Sequence, residues 1–309
     1  MTENLRESER VDVTVLVDNY IDLFVPPAMA GDHRPPFSPA RSLLAEHGLS
    51  CLVTVFSGGR EHRILMDAGL SPVCLFHNAR NLNCDLGDVE SVVLSHGHFD
   101  HTGGLCDLFR GGKKQIPLVL HPDAFLQRRM NNPAHGPVEL PRLDAVALKK
   151  AGAAVKPRKD ASTLAAGHLL VTGEIERKTG FEKGLPWAEA YIGDRWVADP
   201  INDDQGFVIN VKGKGLVVIS GCAHAGIINT VEFARKIAGV DTVHAIIGGF
   251  HLTGPSFEPV IQPTIDAMKE IGPAYVIPLH CTGWKAMHRF AGEMPGQFIL
   301  NTVGTRYTF

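Results

Sequence analysis

Val11–Val17 (VDVTVLV) alternates apolar and polar positions, the two-residue period of a half-buried strand. Cys51–Phe56 and Arg63–Met66 form a second and third strand around Ser57-Gly58-Gly59, which predicts a hairpin turn. Further strands are predicted at Val92–Leu94, Ile116–Leu120, Gly206–Val211, Gly215–Ser220, Val243–Ile247 and Tyr275–Leu279. Helical spacing covers Ala225–Ala238 and Pro259–Ile271, with shorter helices after Gly103-Gly104 and around Leu143–Ala151. From about 125 to 200 the pattern breaks, with prolines at 133, 137, 141, 157 and 186. This stretch reads as an elaboration near the mouth of a site, within an otherwise single domain spanning 1–309.

Four strands end in histidine. Val92–Leu94 leads to His96, Gly215–Ser220 to His224, Val243–Ile247 to His251, and Tyr275–Leu279 to His280. One histidine beside an apolar run is usually structural, but each buried imidazole needs its own partner, and four in register with strand ends point to a shared task. The first of them opens the run His96-Gly97-His98-Phe99-Asp100-His101. Imidazole and carboxylate suit Zn²⁺, Fe²⁺ or Mn²⁺, so the run predicts one or two divalent ions, with Zn²⁺ preferred and Fe or Mn as alternatives. His96 and His98, alternate residues, can face one ion, and Asp100 and His101 a second. Two ions roughly 3.5–4 Å apart would clamp a hydroxide and the charge developing in a transition state. Glycines 97, 103 and 104 allow the tight backbone that such clustering needs.

The composition narrows the chemistry. The chain has 309 residues, 44% of them hydrophobic, and a formal charge of −3 that offers no basic footprint for nucleic acid. No apolar run approaches the roughly 20 residues that span a bilayer, so no membrane partner is expected. The polar start MTENLRESER is unlike a signal peptide, which predicts a cytoplasmic protein. Six scattered cysteines without a CxxC pair are expected to be buried thiols in a reducing compartment, although Cys222 and Cys281 each lie near a histidine.

The HxHxDH run, preceded by a strand ending in Asp67-Ala68-Gly69, resembles the metallo-β-lactamase fold superfamily. The resemblance implies an α/β protein, an αββα four-layer sandwich with the metals at one edge of the sheets. By it, His96 and His98 would bind a first metal, Asp100 and His101 a second, and Asp67 would support the loop through hydrogen bonds. The usual GHTPG-like segment is missing, and Ser220-Gly221-Cys222-Ala223-His224 stands where a bridging Asp is expected. Cys222 then reads either as a thiolate replacing that Asp or as a buried structural thiol. His224 would complete the first site, and His280 of Pro278-Leu279-His280-Cys281 would serve the second. His251 is either a ligand or a proton donor to the leaving group. Asp203-Asp204 reads as a solvated turn that could alternatively reach the cleft, and His121 and His168 read as structural.

The segments SGCAHAGIINT, GGFHL and PLHCTG, with Val171–Ile175, are similar to one branch of that superfamily. Its members are metal-dependent hydrolases and 7,8-dihydropterin-6-yl-methyl-4-(β-D-ribofuranosyl)aminobenzene 5′-phosphate synthase-like proteins. The leading expectation is a metallohydrolase using a metal-bound hydroxide on an ester, lactone or phosphoester of a small molecule, with Asp100 and His251 catalytic. A pterin–arylamine phosphate condensation is the alternative, and iron-dependent redox chemistry a third. A phosphate on the substrate would suit the N-terminus of the helix after His224. Arg177, Lys178 and Lys183 read mainly as a solvated loop that could assist there.

Overall fold

The structure, a computed structural model, describes residues 4–29, 31–36, 38–111 and 115–309. Two sheets stack face to face. The first runs in the order Ala154–Pro157, Pro117–Leu120, Ser91–Val93, Arg60–Met66, Ser50–Ser57, Arg10–Val17, Arg306–Thr308, Asp32–His33. The second runs Ser162–Leu164, Leu169–Val171, Gly206–Val211, Gly215–Ser220, Val243–Gly249, Tyr275–Leu279, with Glu7–Ser8 added beside Gly206–Val211.

Strand periodicity decides which side chain enters which layer. Val11, Val13 and Val15 point between the sheets, where Ile64 and Met66 meet Phe207, Ile219, Ile247 and Ile277. Leu16 and Leu65, one residue out of phase, face the other way. They pack under helices α1 (Pro72–Asn81), α3 (Leu105–Gly111) and α4 (Ala145–Ala151), after the single turn α2 (Phe99–Thr102). The second sheet does the same: Val208, Val218 and Ile246 pack against α5 (Ile227–Ala238), α6 (Glu258–Ile271) and α7 (Trp284–Glu293). The layers are helix, sheet, sheet, helix, as the resemblance implied.

The hairpin predicted at Ser57-Gly58-Gly59 is a two-residue turn, Gly58-Gly59, with both φ positive (57° and 72°). Glycine adopts that backbone without penalty. Helix α4 starts two residues later than its periodicity suggested because Asp144 caps it, accepting from Val146 N and Ala147 N. Between 125 and 200, Ala154–Pro157 joins the edge of the first sheet, and Ser162–Leu164 and Leu169–Val171 extend the second. Arg128–Asn132, Gly136–Glu139, Ala188–Ile192 and Arg195–Ala198 form a separate four-stranded sheet. Among the described residues no helix is long and apolar enough to cross a membrane.

Candidate metal centre

Parallel strands of both sheets end at one edge of the sandwich, and there the chain turns sharply. Asp67, Ala223, His251 and His280 all have left-handed backbone, with φ between 44° and 60°. Each such residue stores roughly 1–3 kcal/mol of strain that the surrounding packing has to hold. Gly97 meets a different constraint: its φ is ordinary, but a Cβ would overlap the Ala124 backbone, so the histidine run is pressed against the turn that follows Pro117–Leu120.

One half of the centre is made by three imidazoles. His96 Nε2 lies 3.0 Å from His98 Nδ1 and 3.2 Å from His224 Nε2. The Ser95 hydroxyl donates to Asp67 Oδ2 (2.6 Å) and so accepts from His96 Nδ1 (2.9 Å), which leaves the His96 Nε2 lone pair facing the other rings. Burial, reinforced by the neighbouring imidazoles, pushes His96 and His224 well below the ordinary histidine range. Burial and the Arg128 charge take His98 to about 3. All three rings are neutral, each keeping one N–H, and their nitrogens gather at hydrogen-bond distance around one point where each ring can turn a lone pair to a cation. The donor set therefore fits a metal ion.

The other half is mixed. Asp100 Oδ2 is 3.4 Å from His280 Nε2, 3.8 Å from His101 Nε2 and 3.4 Å from His47 Nε2. His280 Nε2 is buried and makes no hydrogen bond. Burial opposes ionisation of Asp100, yet the imidazoles of His101, His280 and His98 hold its carboxyl below the usual range. His101 Nδ1 donates to Asp67 Oδ2 at 2.6 Å, and its Nε2 is 3.2 Å from Cys222 Sγ. Burial works against charge on His101, but Asp67 and Asp100 raise it to about 9. Asp67 thus holds the loop through Ser95 N, Ser95 Oγ and His101, the supporting role the resemblance implied.

Cys222 and Cys281 lie side by side behind this half. Burial opposes charge on both sulfurs. The Cys222 thiol, His280 and His251 nevertheless pull Cys281 well below its ordinary value, while burial and the facing Cys281 push Cys222 up. The His251 ring stacks at a tilt on His224 (4.4 Å between centroids) and edges Phe257 (5.0 Å). Burial would neutralise it, but Cys281, Asp204 and Asp100 outweigh that and raise it. His96, His98, Asp100, His101, Cys222, His224 and His280 therefore meet at one sheet edge, with His251 beside them.

Two expectations change. Asp203 and Asp204 are buried rather than solvated. Asp203 accepts from Gly97 N (2.7 Å) and pairs with Arg128 at 2.5 Å, so it braces the histidine run from below. Asp204 accepts from Ala225 N (2.9 Å), and burial raises it to about 7. The N-terminus of α5 is not free for a phosphate either. The Glu182 carboxylate accepts from Ile228 N and Asn229 N, both at 2.8 Å, so the chain supplies its own anion there. Arg177 is engaged with the Pro200 carbonyl and Lys178 pairs with Glu176. Lys183 is exposed at the rim of a cavity of about 230 Å³. That cavity is lined by Phe181, Leu185, Pro186, Phe250, Phe257 and Val260 and reaches His224 and His251.

His121 caps the turn after its strand, accepting from Asp123 N (3.1 Å). His168 also lies outside the cluster. Sequence reasoning missed His47, and also Asp18, whose Oδ1 accepts from His280 N at 2.8 Å. The second had a signal, since Asp18 follows the strand ending at Val17 just as the histidines follow theirs.

Residues 62–155 match the model of a β-lactamase superfamily domain. The chain is 33% identical over 305 residues to a Methanocaldococcus jannaschii protein named 7,8-dihydropterin-6-methyl-4-(β-D-ribofuranosyl)-aminobenzene-5′-phosphate synthase, covering 96% of each. It is 32% identical over 269 residues to an uncharacterized protein of the same organism, covering 85% of this chain and 94% of that one. Among solved structures, Tm1679, a metal-dependent hydrolase of the β-lactamase superfamily, superposes with a TM-score of 0.75 at 24% identity, over 96% of this chain and 98% of that one. The αββα frame, the strand-end cluster and these relatives agree: the chain belongs to the metallo-β-lactamase superfamily, in the family that contains the two Methanocaldococcus jannaschii proteins.

Proposed function

We propose that this protein is a metal-dependent hydrolase that cleaves an ester, lactone or phosphoester bond in a small molecule. The observation that carries the reading is the meeting of His96 Nε2, His98 Nδ1 and His224 Nε2, nitrogens of three neutral, buried imidazoles gathered around one point. His96, His98 and His224 would hold one ion, and Asp100, His101, Cys222 and His280 a second. Imidazole, carboxylate and thiolate together favour Zn²⁺. Divalent ions held there would polarise a substrate oxygen and make a coordinated water acidic near neutral pH.

The remaining roles belong to the chain itself. Asp100 lies between His47, His101 and His280 and would orient the attacking group as well as bind metal. His251 stands at the cavity wall and would hand a proton to the leaving group. Phe181, Phe250 and Phe257 would shelter a flat apolar portion of the substrate from water. Six unpaired cysteines support a reducing, cytoplasmic setting.

The relative named as a synthase favours a second reading. In it the same groups join a dihydropterin to a ribofuranosylaminobenzene 5′-phosphate, and His251 serves a departing pyrophosphate. One experiment separates them: zinc-loaded protein incubated with bis(p-nitrophenyl) phosphate, a lactone panel, and dihydropterin pyrophosphate with the arylamine phosphate. Hydrolysis without pterin supports the first reading and removes the second. Condensation alone does the reverse, and a protein that takes up no transition metal removes both.

A further inference from the structure

His47 belongs to no motif, yet its ring sits at the open side of the centre. Its side chain is 60% exposed, its Nε2 is 3.4 Å from Asp100 Oδ2, and its ring lies 5.1 Å from that of His280. The backbone carrying it is anchored on both sides. Glu46 accepts from Leu70 N and Ser71 N (both 2.9 Å) and from Ser71 Oγ (2.6 Å). Leu49 N donates to Asp100 O at 3.3 Å, and a Cβ at Gly48 would collide with that same carbonyl at 2.7 Å. An exposed imidazole held this firmly against a buried carboxylate is a built feature rather than a loose surface side chain.

Asn19 decides what that imidazole can do. Its Oδ1 accepts from Gly48 N (3.3 Å) and its Nδ2 donates to His280 O (3.2 Å), two backbone contacts that fix which end of the amide is which. Oδ1 therefore accepts from His280 Nδ1 (3.1 Å), leaving the His280 Nε2 lone pair for a metal. Nδ2 donates to His47 Nδ1 (3.2 Å), which places the His47 proton on Nε2. One side chain thus sets two neighbouring imidazoles in opposite senses, the first as a ligand and the second as a donor. The 3.4 Å contact with Asp100 is long for a hydrogen bond and engages that N–H only weakly.

We propose that His47 is a substrate-facing hydrogen-bond donor for an oxyanion, phosphate or carboxylate, bound at the Asp100–His280 side of the centre. This rests on the metal-dependent reading above and adds to it where the charged end of the substrate lies: opposite the apolar cavity, which opens at His224 and His251. The substrate class is then a molecule with a flat apolar body and an anionic group on the far side of the scissile bond.

The test uses the zinc-loaded wild type with His47→Phe, which removes the donor, and His47→Gln, which replaces it. Zinc content is read by mass spectrometry and inorganic phosphate affinity by calorimetry. We expect the same zinc content in all three, phosphate binding weakened at least ~10-fold in His47→Phe, and affinity within about threefold of wild type in His47→Gln. Equal phosphate affinity in wild type and His47→Phe would overturn the inference. So would loss of one zinc equivalent in His47→Phe, because His47 would then be a ligand. Wild type that binds zinc but not phosphate sinks the inference alone, whereas wild type that binds no zinc sinks the metal-dependent reading beneath it.

Discussion

The two halves of the centre solve the same problem in opposite ways. His96, His98 and His224 are neutral, lie within 3.2 Å of one another pairwise through His96, and face no carboxylate of their own. Asp100 and His101 carry charge, and with His280 they keep distances of 3.4–3.8 Å and open beside an exposed His47. The first half is a closed socket of buried, neutral imidazoles. The second keeps a proton and a carboxylate in reserve and has a side from which substrate can arrive. A binuclear centre divided in this way would hold one ion for structure and positioning and expose the other to the reaction.

The most severe test of that division removes one ligand from each half. His98→Ala and Asp100→Ala should each lower turnover by at least ~10³-fold while circular dichroism and melting temperature stay near wild type. Their metal contents should differ. His98→Ala should lose the tightly held ion, and Asp100→Ala should keep about one equivalent. Equal loss of both ions in both variants would mean that the halves form one cooperative site and that the contrast is wrong.

A smaller effect is expected one layer down. Asp203 supports only the closed half, through Gly97 N and the buried Arg128 guanidinium, which also binds Asp199 at 2.7 Å. Asp203→Ala leaves that guanidinium short of a partner and should cost about 3–5 kcal/mol in urea unfolding. Zinc affinity at the first half should fall about 10–100-fold, with the second half little changed. A variant that weakens both halves alike would show that Arg128 and Asp203 support the whole edge.

How much of this could be read from the chain follows from how far apart the cooperating residues lie. The alternation in Val11–Val17 assigned inner and outer faces correctly because strand geometry has a fixed period of two. The convergence of the candidate ligands was legible because strand ends converge in any sheet whose parallel strands end at the same edge. The strands within 125–200 run only three to five residues and carry Arg, Asn and Glu, too short and too polar for periodicity to register. Asp203-Asp204 looked like a surface turn because the partners lie far along the chain, the Arg128 of Asp203 being 75 residues away and the Ala225 N–H from which Asp204 accepts 21 residues away. His47 carried no signal at all: its role is written in Asn19, 28 residues upstream, and in the close approach of Gly48 to Asp100.

The gentlest way to sharpen the contrast is pH. In the metal-free protein Asp67 raises His101 to about 9, above an unfolded value near 6.5. The proton's contribution to stability is therefore fully present below about 6.5 and is lost as pH climbs through 9. A metal ion reaching His101 Nε2 and Cys222 Sγ has to displace a proton from each, so second-half affinity should strengthen about a hundredfold per pH unit up to roughly 9. His98, lowered to about 3, and His96 and His224, also pushed well below the ordinary histidine range, are already neutral and have no titrating proton to release in this range. First-half affinity should then be nearly flat from pH 6.5 to 8.5. Zinc titrations against a competing chelator at three pH values resolve the two slopes, and proton release by calorimetry should be close to two per second ion, one from His101 and one from the Cys222 thiol. Two steep slopes would assign a proton to the closed half, and two flat ones would take it from His101. In either case the difference between a socket that is already neutral and one that exchanges protons for a metal would disappear.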